Sequence, residues 1–442
     1  MLLLLGSGLK TITLGKSLLV SGKPFLIYTP SLYWGCEYKN IFGESAVYLF
    51  DFSSGACDQA FKFFADGILN NLVIQDRILG KFKRIEASEI IRKYASDIEY
   101  LILKKGIKIV CGEQAYAFER CAGHVAKIHE VEMRLIEGVK YPEFEGSERI
   151  ASFNVNRSRV IATRKNENYR QELHDFSLAR QKISNSYIGT AYIKVNVYEW
   201  SLKSGISKIW FHIWRRIKYG RDHTQRPIFE LVLDRILSAL GIRLEKFFVC
   251  SSLTMSKPFV FIPLHLPEDE AIETLGREFR DQAKMAVDVA DALGSDYMVC
   301  VKRHPHNKKR FWQVDWVKLY RHPNIMLASQ DLETSTLMKH AAFTLTVCGS
   351  ASLEAAMLGF KSGTLVPLFF NNILSAGTVQ INDDLRKQIQ QPVKSENEFD
   401  RYLEYVFENS FPGIAGVIGL RSEAQSQQNI EKLGIFFGRA LP

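Results

Sequence analysis

Two stretches of the chain hold the residues best equipped for chemistry, "YMVCVKRHPHNKK" (297–309) and "TVCGSASLEAAMLGF" (346–360). The first is an apolar run that empties into Lys302, Arg303, His304, Pro305 and His306. Proline cannot extend a strand ladder, so the cations and imidazoles are released into a loop. The second runs from apolar residues into Gly349, Ser350 and Ser352, then into a segment rich in Ala, Leu and Glu that reads as a helix. Free amides at a helix start, with two hydroxyls beside them, suit an anion. A diphosphate or phosphate ester fits both loops. Lys302, Arg303 and His304 would meet the charge of a departing phosphate, Ser350 and Ser352 would bind its oxygens, and Glu354 would accept from ribose hydroxyls. Taken singly, His-Pro is an ordinary turn and "GSASLEAA" an ordinary capped helix. Their order, in alternating strand and helix patterns, is what favours a nucleotide-phosphate site. A third stretch, "PFVFIPLHLPEDEAI" (258–272), closes an apolar run with His265, Pro267, Glu268 and Asp269. His265 and Asp269 are candidates for contact with a sugar in a cleft, and the same acids equally suit the cap of the next helix.

The elements that must position these residues alternate between apolar runs and helical patterns in both halves, the order that produces parallel sheets covered by helices. Strands are expected at 24–28, 46–52 and 107–112, with the leucine run at the start as a further buried strand, and then at 259–263, 297–302, 324–328, 343–348 and 363–367. Helix periodicity covers 87–106, through Ile90, Ile91, Tyr94, Ile98 and Leu101, and 276–293, through Phe279, Ala283, Val287, Ala290 and Leu293. The fold expected is α/β: two Rossmann-like domains with parallel sheets, an N-terminal one over 1–245 and a C-terminal one over 246–410, followed by a helix and tail over 411–442. Residues 156–175 are too polar for core and read as exposed helix or loop. Residues 205–226 mix Trp210, Phe211 and Trp214 with Lys208, Arg215, Arg216, Lys218 and Arg221. That segment suits an interfacial helix or a platform for an anionic acceptor, and equally an interdomain helix with its aromatics inward and its basic face solvated.

Composition narrows the class. At 442 residues and 46% hydrophobic, each half can bury a core of its own. The 57 Lys+Arg against 48 Asp+Glu give +9, a field that attracts phosphates, acidic sugars or an anionic membrane surface. The positive charge is spread along the chain with no recognisable nucleic-acid module, so no nucleic-acid partner is expected. Seven scattered cysteines, none spaced C-x-x-C, point to a reducing cytoplasm, with peripheral attachment to the inner face of the membrane left open by residues 205–226. Walker-type, H-E-x-x-H, G-x-S-x-G and D-x-D patterns are absent, so neither a metal nor a cofactor is expected, and protein groups must meet the phosphate charge.

"PLHLPEDEAIETLGREFRDQ", "VKRHPHNKKRF" and "TLTVCGSASLEAAMLGFKSGTLVPLFF" resemble, in that order, the second domain of the bacterial capsular polysaccharide synthesis glycosyltransferases, the group that includes the Kdo transferases of capsule assembly. "RCAGHVAKIHEVEMRLIEGVKYPEFEGSERIASFNVNRS" (120–158) is similar to a first-domain segment of that family carrying Glu-Gly-Tyr-x-Arg-Pro-Asp. Glu137, Gly138 and Pro142 match it, whereas Val139, Tyr141 and Glu143 stand where the family has Tyr, Arg and Asp. The likeness covers most of 85–160 and 255–375. It implies a GT-B arrangement, with a nucleotide-sugar donor such as CMP-Kdo on the second domain and a polysaccharide or lipid-linked glycan acceptor on the first. It also implies donor phosphate on His304, Ser350 and Ser352, and Glu137 as general base or sugar contact. The substitutions at 139, 141 and 143 favour a sugar other than Kdo. An epimerase or polyol-phosphate transferase on the same fold, or an inactive assembly partner, are the alternatives.

Overall fold

Leu2–Leu5, buried throughout, form strand β1 in the middle of a parallel sheet, the place for an uninterrupted apolar run. The computed structural model describes residues 1–6, 8–51, 64, 66–76, 78–141, 147–161, 165–181, 202–220, 229, 232–233, 236–237, 247–252, 257–266, 269–304, 315–415 and 421–440. The first sheet continues with β2 (Phe25–Thr29), β3 (Val47–Leu49), β4 (Ile109–Gly112), β5 (Glu132–Gly138) and β6 (Arg149–Phe153). Strands β5, β4, β1, β2 and β3 lie side by side in that order, all parallel, and β6 is antiparallel to β5.

The second sheet contains β7 (Phe259–Pro263), β8 (Met298–Lys302), β9 (Ile325–Ala328), β10 (Phe343–Thr346), β11 (Ser362–Thr364) and β12 (Gly377–Thr378). Its order is β12-β11-β10-β7-β8-β9, parallel throughout. Both sheets are doubly wound, so the molecule has the expected architecture of two Rossmann-like α/β domains with parallel sheets facing across a cleft.

Helix Arg84–Lys105 buries Ile90, Ile91, Tyr94, Ile98 and Leu101 as its periodicity requires, and ends on Gly106 at φ +62°. The helix expected from Gly276 starts later. Arg277–Phe279 is a 3₁₀ turn, and the α-helix runs over Gln282–Leu293 because the Asp281 side chain accepts from the Lys284 amide and sets the start there. The polar stretch 156–175 leads into helix Tyr169–Gln181. In the basic-aromatic segment the helix is Leu202–Tyr219; residues 221–226 lie outside the described residues. Among the described residues no helix is long and apolar enough to cross a membrane.

The chain ends by returning to the first sheet. Phe411–Pro412 form β13, antiparallel to β6, and helix Gln427–Ala440 buries Ile430, Leu433, Phe436 and Phe437 in one cluster with Ile12, Leu14 and Leu18 of helix Leu9–Val20. The two helices approach closely at Gly434, where a Cβ would sit 2.8 Å from a Val20 methyl. Arg149 fastens the same return. Its Nε donates to Ser410 Oγ at 2.7 Å, Nη2 to the Ser410 carbonyl at 2.7 Å, and Nη1 to Glu172 at 2.6 Å, with the guanidinium 4.2 Å from the Phe407 ring centre. Arg149→Ala strands these acceptors, and is expected to lower the unfolding free energy by about 3 kcal/mol. A denaturant titration checks this; a loss below about 1 kcal/mol would show the network to be dispensable.

Candidate active site between the two sheets

In a doubly wound sheet, loops on either side of the point where strand order reverses splay apart and leave a crevice at the carboxyl edge. In the second sheet the reversal lies between β7 and β10, with β8 beyond β7. His265 follows β7, Cys348–Ser350 follow β10 and His304 follows β8, so three neighbouring strands deliver them to one edge. Adjacent strands are about 4.8 Å apart, a spacing that brings the loops after β10 and β7, and after β7 and β8, within side-chain reach of each other. The contacts agree. The Cys348 amide donates to His265 Nε2 at 3.3 Å, and a Cβ on Gly349 would lie 3.2 Å from the His265 ring, close enough that the ring would have to give by a few tenths of an ångström. Asp269 stands 3.8 Å from His265 Nδ1, and its carboxyl is held below the usual range, against burial, by His265 and further by His304.

The other residues expected here divide into two kinds. Ser350 is half-buried at the edge and donates to Glu354 at 2.9 Å, while burial raises the Glu354 carboxyl against Ser350 and Lys140. Arg303 is buried, and its carbonyl accepts from Gln330. Lys302 and Ser352 point into structure. Lys302 is 5% exposed and donates to the Leu332 carbonyl and to Thr334 Oγ1 at 3.3 Å. Ser352 is fully buried, bonded to Thr346 at 2.8 Å and to the Gly363 carbonyl at 2.6 Å, which ties the loop after β10 to β11. Pro305, His306, Pro267 and Glu268 lie outside the described residues, as do Pro142 and Glu143.

The first sheet reverses between β1 and β4, and there Lys10 and Glu113 pair at 2.7 Å. Glu137, at the end of β5, is gripped by Arg157, whose Nε and Nη2 donate to its two oxygens at 2.9 and 2.6 Å. The same Nη2 reaches Glu270 of the second domain at 2.7 Å, and Glu270 also accepts from the Gln114 amide at 2.8 Å. The two carboxyl edges therefore meet at one carboxylate-rich junction. Burial opposes charge on both acids. Arg157 nevertheless holds Glu137 below its ordinary range, whereas Glu270 stays above it, with Glu137 and Glu113 beside it. Glu119 behind them is pushed up to about 8 by burial and then by Glu113 and Glu270.

Arg157 is one of two non-glycine residues with positive φ among the described residues, at +52°. Asn154 secures its turn by accepting from the Arg159 amide at 3.0 Å and donating to Ser158 at 2.9 Å. Lys10, Glu113, Arg157 and Glu270 were not expected from sequence. Positions just after β1 and β4 were the available signal, since those strands flank the reversal. Tyr141, which stands where the resembled family has arginine, is buried between Phe176 and Phe407 at 5.5 and 5.7 Å, and Val139 is core as well. Among the described residues no group of three or more His, Cys, Asp or Glu is placed to hold a metal ion.

No protein-family model matches the chain, and no curated protein matches it. Solved structures similar to it include a Thermosulfurimonas dismutans KpsC, beta Kdo 2,7 transferase, at 11% identity and TM-score 0.36 over 98% of this chain and 99% of that one. A Methanocaldococcus jannaschii UDP-GlcNAc 2-epimerase in complex with UDP-GlcNAc and UDP matches at 13% identity and TM-score 0.30, over 91% and 98%. An S. aureus MnaA-UDP co-structure matches at 12% and 0.28, over 96% and 93%. At such scores neither activity nor ligand passes from those proteins to this chain.

His265 is the titrating centre of the second edge. Burial lowers its proton affinity, but Cys348 and Asp269 outweigh this and raise it to about 9. When neutral, the ring accepts the Cys348 amide on Nε2; when protonated, it donates toward Asp269 and the Cys348 sulfur, 4.0 Å away. A group raised from 6.5 to about 9 contributes stability that is complete below 6.5 and lost as pH climbs through 9. The stability gap between the parent and His265→Gln should therefore close across that window in denaturant titrations, and Asp269→Asn should move the imidazole NMR titration downward. A gap that does not change with pH would refute the pairing.

Proposed function

We propose that the protein is a glycosyltransferase of GT-B type, moving a sugar from a nucleotide-activated donor to a surface polysaccharide or glycolipid acceptor. The observation that carries this reading is the convergence of His304, His265 and Ser350 at the reversal point of the second sheet, facing a second reversal point lined by Lys10, Glu113 and Glu137. Donor phosphates would sit against His304, Ser350 and the buried Arg303, so that protein cations stabilise the nucleotide as it leaves. Lys302 supports this loop from behind through Leu332 and Thr334. His265 and Asp269, paired at the end of β7, would contact the transferred sugar. Glu137 is ionised, so it would act by accepting from an acceptor hydroxyl, and its clamp on Arg157 must loosen for it to take the proton.

A second reading, a nucleotide-sugar epimerase, is favoured by one observation. Glu137 and Glu270, one from each domain, share the Arg157 Nη2 at 2.6 and 2.7 Å, so two carboxyls stand together as an acid and base working on a single sugar would. Incubating donor without acceptor separates the two, since only an epimerase yields a new nucleotide sugar.

The test is a thermal-shift screen with CMP-, UDP- and GDP-sugars, followed by variants. One nucleotide class should raise Tm, and His304→Ala should weaken it by about tenfold or more, the loss of one charge-assisted hydrogen bond. Glu137→Gln should keep donor binding and lose transfer by at least about a hundredfold in a product assay. Unchanged donor affinity in His304→Ala would remove the phosphate assignment.

A further inference from the structure

Helix Leu202–Tyr219 is mounted with a cation inward and an apolar stripe outward. Arg215 is 8% exposed, its guanidinium 4.3 Å from the Tyr33 ring centre and its Nη2 3.4 Å from Ser31 Oγ. Tyr33 also meets Phe211 and Tyr219 edge-on at 5.9 and 5.5 Å. These contacts seat the helix on the start of helix Leu32–Phe42. The opposite stripe, Trp210, Trp214 and Ile217 at i, i+4 and i+7, is 69%, 41% and 80% exposed. This differs from an interdomain helix with its aromatics packed inward. The physical reason is that the Tyr33 face takes the guanidinium, which turns both indoles away from the body. Phe229, Val232, Leu233 and Ile236, spaced i, i+3, i+4 and i+7, are exposed too.

We propose that this helix docks the protein on an anionic bilayer surface. The 18 residues span about 27 Å and carry Lys203, Lys208, Arg215, Arg216 and Lys218 with no Asp or Glu. Exposed Arg216 and Lys218 flank the stripe, and Lys218 Nζ lies 5.0 Å from the Trp214 ring centre. Indoles favour the headgroup region, and cations beside them are attracted to acidic lipid. A symmetric contact between two copies would bring together two helices that both carry cations and no acid, which disfavours a second chain as the occupant. Ser31 and Tyr33 directly follow β2, whose carboxyl end shares the edge that carries Lys10 and Glu113. A bilayer on this helix would therefore lie beside the acceptor side of the cleft. That consequence rests on the transferase reading, while the lipid binding does not.

The experiment sediments the full-length protein with phosphatidylcholine vesicles and with vesicles that also contain phosphatidylglycerol. Binding to the acidic vesicles is expected, weaker by roughly tenfold on neutral vesicles or in high salt. The double variant Trp210→Ser, Trp214→Ser should lose roughly tenfold or more of that binding while keeping its far-UV circular dichroism and its thermal shift by nucleotide sugar, because the Arg215–Tyr33 contact that seats the helix is left in place. Equal binding by variant and parent overturns the proposal, as does failure of the parent to bind acidic vesicles. A parent dimer in lipid-free sedimentation velocity that the double variant abolishes would also overturn it, assigning the stripe to a second copy. Vesicle binding with no response to any nucleotide sugar would sink the transferase reading and leave this one standing.

Discussion

Arg157 resolves the central electrostatic problem of this molecule. Two parallel sheets bring their carboxyl edges together, and both edges supply acids, Glu137 from the first and Glu270 from the second. Carboxylates that lose water without gaining a cation repel and become protonated. One guanidinium placed between them satisfies both, and the Gln114 amide adds a further donor to Glu270. Arg157 pays for this position with a left-handed backbone, and the asparagine-rich turn 154–158 holds it there.

The second edge follows a different plan, in which hydrogen bonds to the scaffold lie behind the residues at the strand ends. Ser352 and Lys302 are spent on holding the loops after β10 and β8 against β11 and the stretch before helix Thr334–His340. Those bonds fix the backbone from which Ser350 and His304 project. Gly349 keeps the loop in close contact with the His265 ring, 3.2 Å from where a Cβ would stand.

Most strands were legible in the sequence because buried parallel strands are short, nearly continuous apolar runs, and 259–263 matches β7 residue for residue. Strands β5 and β6 were harder to see. Glu132, Arg134 and Glu137 interrupt the first, and Arg149 opens the second, since these charges are satisfied by ion pairs rather than by solvent at a loop. Strands β12 and β13 are two residues each, too short to show any period. The helix start at Gln282 was masked because apolar periodicity ran on through Phe279, and a capping aspartate outweighed it.

The sequence by itself determined the chemical inventory and the alternation of elements: apolar runs, several of them ending in His, Ser, Lys or Glu, in the alternating order that produces parallel α/β sheets. It did not determine which of those ends become neighbours. Strand order sets that, and strand order is a property of long-range pairing that no local pattern encodes. Tertiary structure alone joined β7 to β10, set Arg157 between two carboxylates more than a hundred residues apart along the chain, and turned Lys302 inward while leaving two tryptophans in the open.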